Sequence, residues 1–589
     1  MNRTKAGTLS GETVGQRVRL QGWVHRRRDH GGLSFFNLRD ASGNVQVVVH
    51  EDAQAEVAKT LAPARLEWVI EVEGEVTPRS PDAVNPDMAT GEIEVVADSA
   101  TILAAAEPLP FNLEGSEGAT EETRLRYRYL DLRRQPLQES LRLRDKVVLE
   151  IRKYFHEEGF VDLETPILTR STPEGARDYL VPSRVQRGSF YALPQSPQLF
   201  KQLLMVAGFE RYVQIARCFR DEDLRADRQP EFTQVDVEMS FVEEEDVYKL
   251  VEALFERIFP LAGIEVSTPF RRLSYAEAML RFGSDRPDLR YGLEIADLSS
   301  ILGDSGFRGF SATVADGGVV RGFAVPGAGG ASRRQVDQWG EIAKRAGALG
   351  VLTLKHTEDG LVFQVKNVLT ESELERTAEA LGLEPGGLAL IIAAPDRVAA
   401  AALGALRVEL AREYELVDES RFEFLWVTDF PLVEWDDDAE RFMALHHPFT
   451  APNVDDRGLL ESDPASVRSR AYDVILNGVE LGGGSLRIHE SDLQSRVFAV
   501  LGIDEDEAQE RFGFLLDALK YGAPPHGGIA LGLDRLIMKM AGLNSIRDVI
   551  PFPKTTSAAC LMTEAPSAVD ERQLAELGLS IPTTESDHD

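Results

Sequence analysis

Alternation of polar and apolar residues dominates the first hundred residues of the chain. Five short stretches carry this period of two, and each is typical of a strand with one buried face. They are residues 17–24, 34–40, 44–50, 68–76 and 91–97. Ser42–Asn44 is a turn signal between two of them. Five short strands in so few residues predict a small antiparallel barrel.

The outer face of such a barrel commonly binds single-stranded nucleic acid, and exposed Arg and Phe residues favour that use here. Phe35 and Phe36 are adjacent on an alternating strand, so only one of them can face inward. An outward Phe35 could stack on a base, while Arg26, Arg28 and Gln46 could reach base edges or phosphates. An inward Phe35 would be a core residue. The alternation leaves both readings open.

A long helix and a following strand are predicted after the barrel. Residues 98–136 lack alternation, contain two prolines and a glycine, and are typical of a linker. Apolar residues then recur at every fourth position from Leu143 to Phe155, which predicts one helical face, and Gly159 ends that helix. The stretch FVDLETPIL, residues 160–168, predicts a strand.

A second helix is marked at both ends. In QSPQLFKQLLMVAG, Ser196 is a good N-cap, Pro197 suits the first turn and Gly208 suits the end. Gln198 and Lys201 lie three positions apart, so they share one face near the helix N-terminus.

Residues 286–417 alternate helical and strand patterns with their own turns, which predicts an inserted α/β domain. FLWVTDFPLVEW, residues 424–435, then resumes with a buried strand. The tail from Ser557, ending TTESDHD, is expected to be partly disordered.

Composition narrows the functional classes. A chain of 589 residues predicts three or four domains. The net charge of −33 argues against a sequence-blind DNA binder, but residues 25–30 and 123–134 are dense in Arg. Each of these patches is either a solvated face or a contact for a nucleic acid. Two cysteines without metal-type spacing exclude a secreted disulfide framework. No signal peptide or membrane span is predicted, so a cytoplasmic location is expected.

Three segments together resemble the motifs of class II aminoacyl-tRNA synthetases. They are the long helix with its strand ending at Pro166, FRDE (219–222) with RQPEF (228–232), and GIALGLDRLIM (528–538). The sequence around them is similar to that of the bacterial-type aspartyl-tRNA synthetases, from about residue 3 to 570. GARDYLVPSR, ALPQSPQLFKQLLM, HHPFT, GGGSLRIH and FPKTT carry that resemblance. The family would be an ATP-dependent ligase that charges tRNA with aspartate.

The resemblance implies a multidomain α+β protein. Its parts would be an N-terminal five-stranded OB-fold barrel that binds the anticodon (1–106), a hinge (107–137), a class II catalytic domain with an antiparallel sheet (138–285 and 418–556), the inserted α/β domain (286–417) and a C-terminal extension (557–589). A homodimer is expected, because the first motif resembles the family's subunit interface.

Activation joins an α-carboxylate to the α-phosphate of ATP, so the site needs fixed positive charge and a divalent metal. By resemblance, Arg220 would lie on the α-phosphate and Arg535 on the γ-phosphate, with Phe232 under the adenine. Arg220, Glu222 and Arg535 are the expected catalytic residues. The remaining expected ATP contacts are Asp221, Glu222, Gln229, Glu480, Gly532, Leu533 and Asp534. Asp473 and Glu480 resemble ligands of Mg²⁺, which prefers oxygen.

The resemblance also implies an aspartate site. Lys201, Arg487 and His446 would surround the side chain, and Asp236 would meet the amino group. Glu174 would close on the amino acid from a mobile loop, with Ser196 and Gln198 nearby. Two cations favour a carboxylate, whereas a lysine substrate would need acids. An asparagine amide would face donors without an acceptor. Taken singly, Asp236, Asp473 and Glu480 are equally typical of solvated strand acids.

The anticodon residues expected by resemblance are Arg26, Arg28, His30, Phe35 and Gln46. His30 lies in RRRDHGGLSFF, which is predicted as a loop, where many members specific for tRNA(Asp) have Leu. A neutral His has one donor and one acceptor, so it could meet C or U and admit tRNA(Asn) as well as tRNA(Asp). The alternative is a solvated loop histidine.

Two other functions remain as alternatives. A non-catalytic RNA-binding relative would lose motif residues, and all of those named above are present. A free-standing amidating enzyme on the same catalytic fold would not need the barrel or the Arg-rich linker.

Overall fold

The computed structural model describes residues 2–115, 119–172 and 176–581. The chain divides into two compact units, Met1–Thr123 and Arg124–Asp589. Glu174 and the last eight residues lie outside the described residues, so the predictions made for them stay predictions. No helix within the described ranges is long and apolar enough to cross a membrane.

The first unit contains the predicted barrel, which is closed in the order β1-β2-β3-β5-β4. Its elements are β1 (Arg17–His30), β2 (Leu33–Asp40), β3 (Gly43–His50), α1 (Ala55–Leu61), β4 (Val69–Pro78) and β5 (Ile93–Ala104). Four of the pairs are antiparallel, but β3 and β5 pair in parallel, so the expectation of a wholly antiparallel barrel is wrong in one pair. In the barrel, β5 lies between β3 and β4. It is antiparallel to β4 and therefore runs parallel to β3.

Two strands of the barrel are longer than the alternation predicts. β1 continues to His30 and turns into β2 at Gly31 and Gly32, which both have positive φ. His30 pairs with Leu33, so it ends a strand and does not lie in the predicted loop. β5 continues to Ala104, because bulges in its pairing with β4 interrupt the alternation without ending the ladder.

The second unit begins with helices where a linker was predicted. The first part of this unit contains α2 (Glu121–Arg126), α3 (Arg128–Asp131), α4 (Gln135–Glu157), β6 (Val161–Asp162), β7 (Leu180–Pro182), β8 (Phe190–Ala192), α5 (Gln198–Val206), β9 (Arg211–Phe219), β10 (Glu231–Ser240), α6 (Glu244–Ile258), β11 (Arg271–Ser274) and α7 (Tyr275–Phe282). α4 starts eight residues before the predicted helical face, since Pro136 suits its first turn.

The second Arg-rich patch is largely structural. Arg124, Arg128 and Arg134 all bind Asp131, which is fully buried. Arg128 also donates to the carbonyl oxygens of Arg547, Ile550 and Pro551. These arginines therefore hold α2 and α3 against a later segment of the same unit, and they are not a free basic surface.

The inserted residues form a layer of their own. This part contains β12 (Ala296–Asp297), α8 (Ser299–Leu302), α9 (Arg308–Ala315), β13 (Val319–Val325), α10 (Arg333–Arg345), β14 (Leu352–Thr357), β15 (Gly360–Phe363), α11 (Glu371–Leu381), β16 (Leu388–Ala394) and α12 (Asp396–Glu413). The five strands pair in the order β12-β13-β16-β14-β15, and every pair is antiparallel.

The rest of the chain completes the main sheet. It contains β17 (Phe424–Thr428), β18 (Val433–Asp436), β19 (Arg441–Ala444), β20 (Ala471–Leu476), β21 (Val479–Leu486), α13 (Ser491–Val500), α14 (Glu505–Leu519), β22 (His526–Gly532), α15 (Leu533–Met540) and α16 (Glu571–Leu577). The sheet has eight strands in the order β11-β17-β20-β21-β22-β10-β9-β6. Helices α4, α6 and α15 pack on one face of it and form the largest core.

The strand predicted at residues 160–168 is shorter than expected. Only Val161 and Asp162 pair, in parallel with β9 at the edge of the sheet. The residues after Asp162 leave the ladder, and Ile167 and Leu168 are exposed. Their apolar character predicts a strand, but no strand in the described part of the chain pairs with them.

Candidate active site

One cavity of about 780 Å³ collects most of the residues expected to bind aspartate and metal. Its floor is the main sheet, and α5 forms one wall. The predicted residues that line it are Ser196, Gln198, Lys201, Arg220, Glu222, Asp236, His446, Asp473, Glu480 and Arg487. A volume of several hundred cubic ångströms is typical of a small-molecule site.

Two cations and two acids form a buried network on the floor of this cavity. Lys201 Nζ lies 2.6 Å from Asp236 Oδ1 and 3.2 Å from Glu238 Oε2. Arg487 binds Glu238 through two hydrogen bonds, Nε to Oε1 at 2.9 Å and Nη2 to Oε2 at 3.1 Å. β10 supplies both acids, because Asp236 and Glu238 lie two positions apart and therefore on one face of the strand.

The two acids of the network have opposite pKa shifts. Burial raises the pKa of Asp236, and Lys201 only partly offsets that effect. Burial on its own would raise the pKa of Glu238 too, but Arg487 and Lys201 lower it to about 2. Glu238 therefore pairs with both cations, which amends the expectation of two free cations. With all four groups charged, the network is neutral.

His447, which was not among the predicted site residues, also contacts this network. Its Nε2 lies 2.6 Å from Arg487 Nη1. Burial and Arg487 lower the pKa of His447 well below its usual range. An arginine can only donate, so Nε2 accepts and the ring is neutral. The expected residue, His446, lies beside it, 3.3 Å from Asp473, with Phe430 against its ring.

Several buried polar atoms of cavity-lining residues have no hydrogen-bond partner among the described residues. They are Gln198 Nε2, Asp236 Oδ2 and His446 Nδ1. Buried polar atoms are normally hydrogen-bonded, so unpartnered ones facing a cavity are typical of ligand contacts. Gln198 offers a donor and Asp236 an acceptor, a combination that is complementary to a carboxylate and an ammonium group.

The two acids expected to hold a metal lie at another part of the same cavity. Asp473 is on β20 and Glu480 is on the neighbouring strand β21. Burial raises the pKa of Glu480, and the charge of Asp473 raises it further. In the described part of the chain, no group of three or more His, Cys, Asp or Glu residues is placed to hold a metal alone.

A narrower pocket of about 100 Å³ adjoins the cavity and shares Arg220, Glu222 and Glu480 with it. The other predicted nucleotide residues that line it are Gln229, Phe232, Gly532, Asp534 and Arg535. Arg220 lies over the ring of Phe232, 5.1 Å from its centroid. Arg535 lines the narrower pocket only, 3.1 Å from Asp227 and 3.8 Å from Glu480.

Other predicted nucleotide residues have structural contacts. Leu533 packs in the main core, and Asp221 pairs with Arg177 outside both pockets. Asp534 binds Arg144 and accepts from the Thr233 amide. The side-chain amide of Gln229 donates from Nε2 to the Lys554 carbonyl oxygen and accepts at Oε1 from the Lys554 backbone N–H.

The barrel presents the predicted anticodon residues on its outer face. Phe36 is 1% exposed and lies in the barrel core, so Phe35 faces outward. Phe35 pairs across the strands with Arg28, and Gln46 follows on β3. Arg26 is held by Glu114, and Gln46 by Glu94. Of the two orientations that the alternation left open for Phe35, the structure has the outward one.

Sequence reasoning also missed Glu238, which belongs to the buried network, and Gln195, which lines the cavity. Glu238 was visible as a charged residue in a buried strand, which is a signal in itself. Gln195 donates to Asp178 and to the Ala176 carbonyl oxygen, and so holds the segment that follows the undescribed residues 173–175.

Comparisons with known proteins agree with this arrangement. The family described as "tRNA synthetases class II (D, K and N)" matches residues 120–556, and "OB-fold nucleic acid binding domain" matches residues 18–103. The chain belongs to this family of class II tRNA synthetases, and the expected fold class is confirmed.

Full-length relatives narrow the family further. The Aspartate--tRNA(Asp/Asn) ligase of Caldanaerobacter subterraneus subsp. tengcongensis is 53% identical, over 98% of this chain and 97% of its own. The Aspartate--tRNA ligase of Geobacillus kaustophilus is 52% identical over the whole of both chains. These matches confirm the expected family, the aspartate–tRNA ligases.

A solved structure shows the same fold at low identity. It is asparaginyl-tRNA synthetase from Pyrococcus horikoshii complexed with asparaginyl-adenylate, with a TM-score of 0.59 and 20% identity, over 94% of this chain and 98% of that one.

Proposed function

We propose that this protein activates L-aspartate with ATP and transfers it to the 3′ end of tRNA(Asp) and of tRNA(Asn). The observation that carries the proposal is the buried network of Lys201, Asp236, Glu238 and Arg487 beside unpartnered Gln198 and Asp236 atoms. Such a network is costly to bury, and its position at the 780 Å³ cavity supports a binding role.

The first step forms a bond between an aspartate carboxylate oxygen and the α-phosphorus of ATP, and breaks the bond to pyrophosphate. The carboxylate is already ionised, so no general base is required. Arg220 borders both pockets, where an arginine fork can hold the carboxylate and the α-phosphate together. In the second step, a hydroxyl of the terminal tRNA ribose attacks the acyl carbon, AMP leaves with the bonding electrons, and the hydroxyl proton passes to the departing phosphate.

Substrate selection follows from the donors that remain in the network. The contacts of Arg487 with Glu238, Ser485 and His447 use four of its five N–H groups, so one stays available. That donor fits the aspartate side-chain carboxylate. The NH₂ group of asparagine would meet a donor there, and lysine would bring a third cation. Asp236 Oδ2 fits the α-ammonium group.

The acids at the other part of the cavity fit a magnesium ion. Asp473 and Glu480 lie on neighbouring strands and line the same cavity, and the charge of Asp473 raises the pKa of Glu480, so a bound cation would relieve their repulsion. Two carboxylates do not complete the shell of Mg²⁺, which typically takes phosphate oxygens as well. When bound, the ion would neutralise phosphate charge as pyrophosphate departs.

The OB-fold barrel would bind the anticodon on the face of Phe35 and Arg28. His30 ends β1 beside the Gly31–Gly32 turn and is exposed, so it can reach a base. An imidazole ring has both a donor and an acceptor when it is neutral, which supports acceptance of both tRNAs. The name of the Caldanaerobacter relative includes both tRNAs, which is a second support.

Charging assays test this proposal. The purified protein should aspartylate transcripts of tRNA(Asp) and tRNA(Asn), and His30→Leu should selectively reduce the second. His50→Leu, at an exposed histidine that ends β3 in the same barrel, is the matched control and should alter neither. Charging of tRNA(Asp) alone by the unmodified protein would contradict acceptance of tRNA(Asn), and charging of neither would contradict the function.

A cytoplasmic homodimer is part of the proposal. β6 is the edge strand of the main sheet, and exposed Val161, Ile167 and Leu168 lie on it or just after it. An apolar edge invites pairing with a second copy. Sedimentation of the purified protein tests this, and a monomer at micromolar concentration would contradict it.

A further inference from the structure

The inserted domain supplies part of the wall of the active-site cavity. Arg397 and Ala401 of α12 line the same cavity as Asp473 and Glu480. Tyr275 and Met279 of α7 and Asp285 line it too. The network that selects the amino acid and the narrow nucleotide pocket do not use these residues.

Arg397 is an accessible cation at this wall. Its side chain is 69% exposed and pairs with Glu434 of β18, which lies outside the inserted domain and also lines the cavity. An exposed pair stabilises a fold by only about 0–1 kcal/mol. A positive charge in the first turn of a helix is also unfavourable, because the helix N-terminus is itself positive. Helix stability therefore does not explain the arginine.

Helix α12, which carries Arg397, is held in place by buried hydrogen bonds and close packing. Arg407 of α12 is buried and donates to the carbonyl oxygens of Asp288, Gly292 and Leu293. Gly404 lies so close to Gly283 that an added Cβ would come within 2.3 Å of the Gly283 oxygen. The backbone of Arg397 is thus fixed relative to the cavity, and its side chain alone has freedom to move.

Arg397 borders the same cavity as the proposed metal acids. On the wall of that cavity, Tyr275 packs on Phe430 with ring centroids 5.2 Å apart, Phe430 packs on His446, and His446 lies 3.3 Å from Asp473. Burial raises the pKa of Tyr275, and the charge of Arg397 lowers it. Arg397 therefore lines the cavity in which phosphate oxygens would complete a magnesium shell.

We propose that Arg397 is a phosphate-binding residue that the inserted domain contributes to the active site, and that Glu434 holds its guanidinium when no phosphate is bound. The proposal rests on the function proposed above. An arginine fork is suited to phosphate, which would displace one carboxylate of similar geometry. The phosphate could belong to pyrophosphate or to the 3′-terminal nucleotides of tRNA.

Two assays separate these sources. Arg397→Ala should raise the KM for pyrophosphate in aspartate-dependent ATP–pyrophosphate exchange roughly ten-fold if the ligand is pyrophosphate. If the ligand is the tRNA end, exchange should be normal, and transfer from preformed aspartyl-adenylate to tRNA should require roughly ten-fold more tRNA. Arg397→Lys should recover part of either loss, because it keeps the charge and loses the fork.

Glu434→Gln distinguishes binding from a structural pair. It frees Arg397, so the affected KM should stay unchanged or fall. Equal losses in Arg397→Ala and Glu434→Gln would overturn the proposal, because they would show a pair that only attaches the inserted domain. Arg412→Ala is the matched control: Arg412 lies on the same helix, is exposed and ion-paired, but is outside the cavity.

Two further outcomes are decisive. Normal exchange and normal transfer in Arg397→Ala, with an active unmodified protein, would overturn this inference and leave the proposed function intact. An unmodified protein that is inactive in both assays would overturn the proposed function and this inference together.

Discussion

Replacing Arg487 with Leu is the perturbation with the largest expected effect on substrate binding. Arg487 is 3% exposed and forms the two-bonded pair with Glu238. Its removal leaves Lys201 as the only cation beside Asp236 and Glu238, so the network changes from neutral to a net charge of −1. The side-chain carboxylate of aspartate would then enter a negative site and lose its available donor.

The magnitude follows from the burial of the pair. Breaking a buried ion pair by removing one partner costs about 3–5 kcal/mol. If the loss falls on aspartate binding, it corresponds to a rise in the aspartate KM of about 150-fold or more. The ATP KM should change little, because the narrow nucleotide pocket does not include Arg487. The aspartate KM of Arg487→Lys should lie between those of the unmodified protein and of Arg487→Leu, because lysine keeps the positive charge but lacks the forked guanidinium.

Aspartate-dependent ATP–pyrophosphate exchange measures both constants. Circular dichroism and the ATP KM report whether the variant is folded. Arg496→Leu is a matched control, because Arg496 pairs with Glu461 on the surface, away from the cavity, and should leave both constants within about two-fold. A folded Arg487→Leu variant with a near-normal aspartate KM would refute the assigned role.

Three other expectations concern the metal, the barrel and acid stability. Glu480→Gln should strongly reduce exchange while tRNA binding persists, and exchange that continues undiminished in excess chelator would contradict a magnesium requirement. Phe35→Ala should lower tRNA charging and leave exchange nearly unchanged, since a stacked base is worth about 1–3 kcal/mol; equal losses in both assays would contradict a surface role. The pKa of Glu238 is lowered to about 2, so its stabilisation is complete above its unfolded value of about 4.3 and is lost as the pH falls toward 2. The unfolding temperature should therefore fall less in Glu238→Gln than in the unmodified protein between about pH 5 and pH 3, and equal falls would contradict the pairing.

Local patterns predicted the barrel and the long helices because they depend on periodicity within a few residues. Phe35 and Phe36 show the limit of that approach. Alternation requires that one faces inward, but only closure of the barrel decides that Phe36 does. The prediction of a strand at 160–168 was wrong beyond Asp162 for the same reason, because pairing needs a neighbouring strand that the local sequence does not reveal.

The site could be predicted from charged residues in apolar strands, but the pairing within it could not. Asp236 and Glu238 are equivalent in the strand pattern, yet one has a raised pKa and the other a lowered one. The difference arises because Arg487, which follows β21 about 250 residues later, forms its hydrogen bonds with Glu238 and not with Asp236. The Arg-rich segment at 123–134 misled in the opposite way, because a buried Asp131 that gathers three arginines resembles a basic surface in the sequence.

The central claim is that a neutral buried network with one available donor selects aspartate. The most direct measurement is ATP–pyrophosphate exchange with aspartate, asparagine and lysine, compared by kcat/KM on the unmodified protein. Aspartate should exceed both others by at least about a thousand-fold, because a site built for hydrogen bonds to one group strongly rejects its analogues. Comparable exchange with asparagine or lysine would contradict the account.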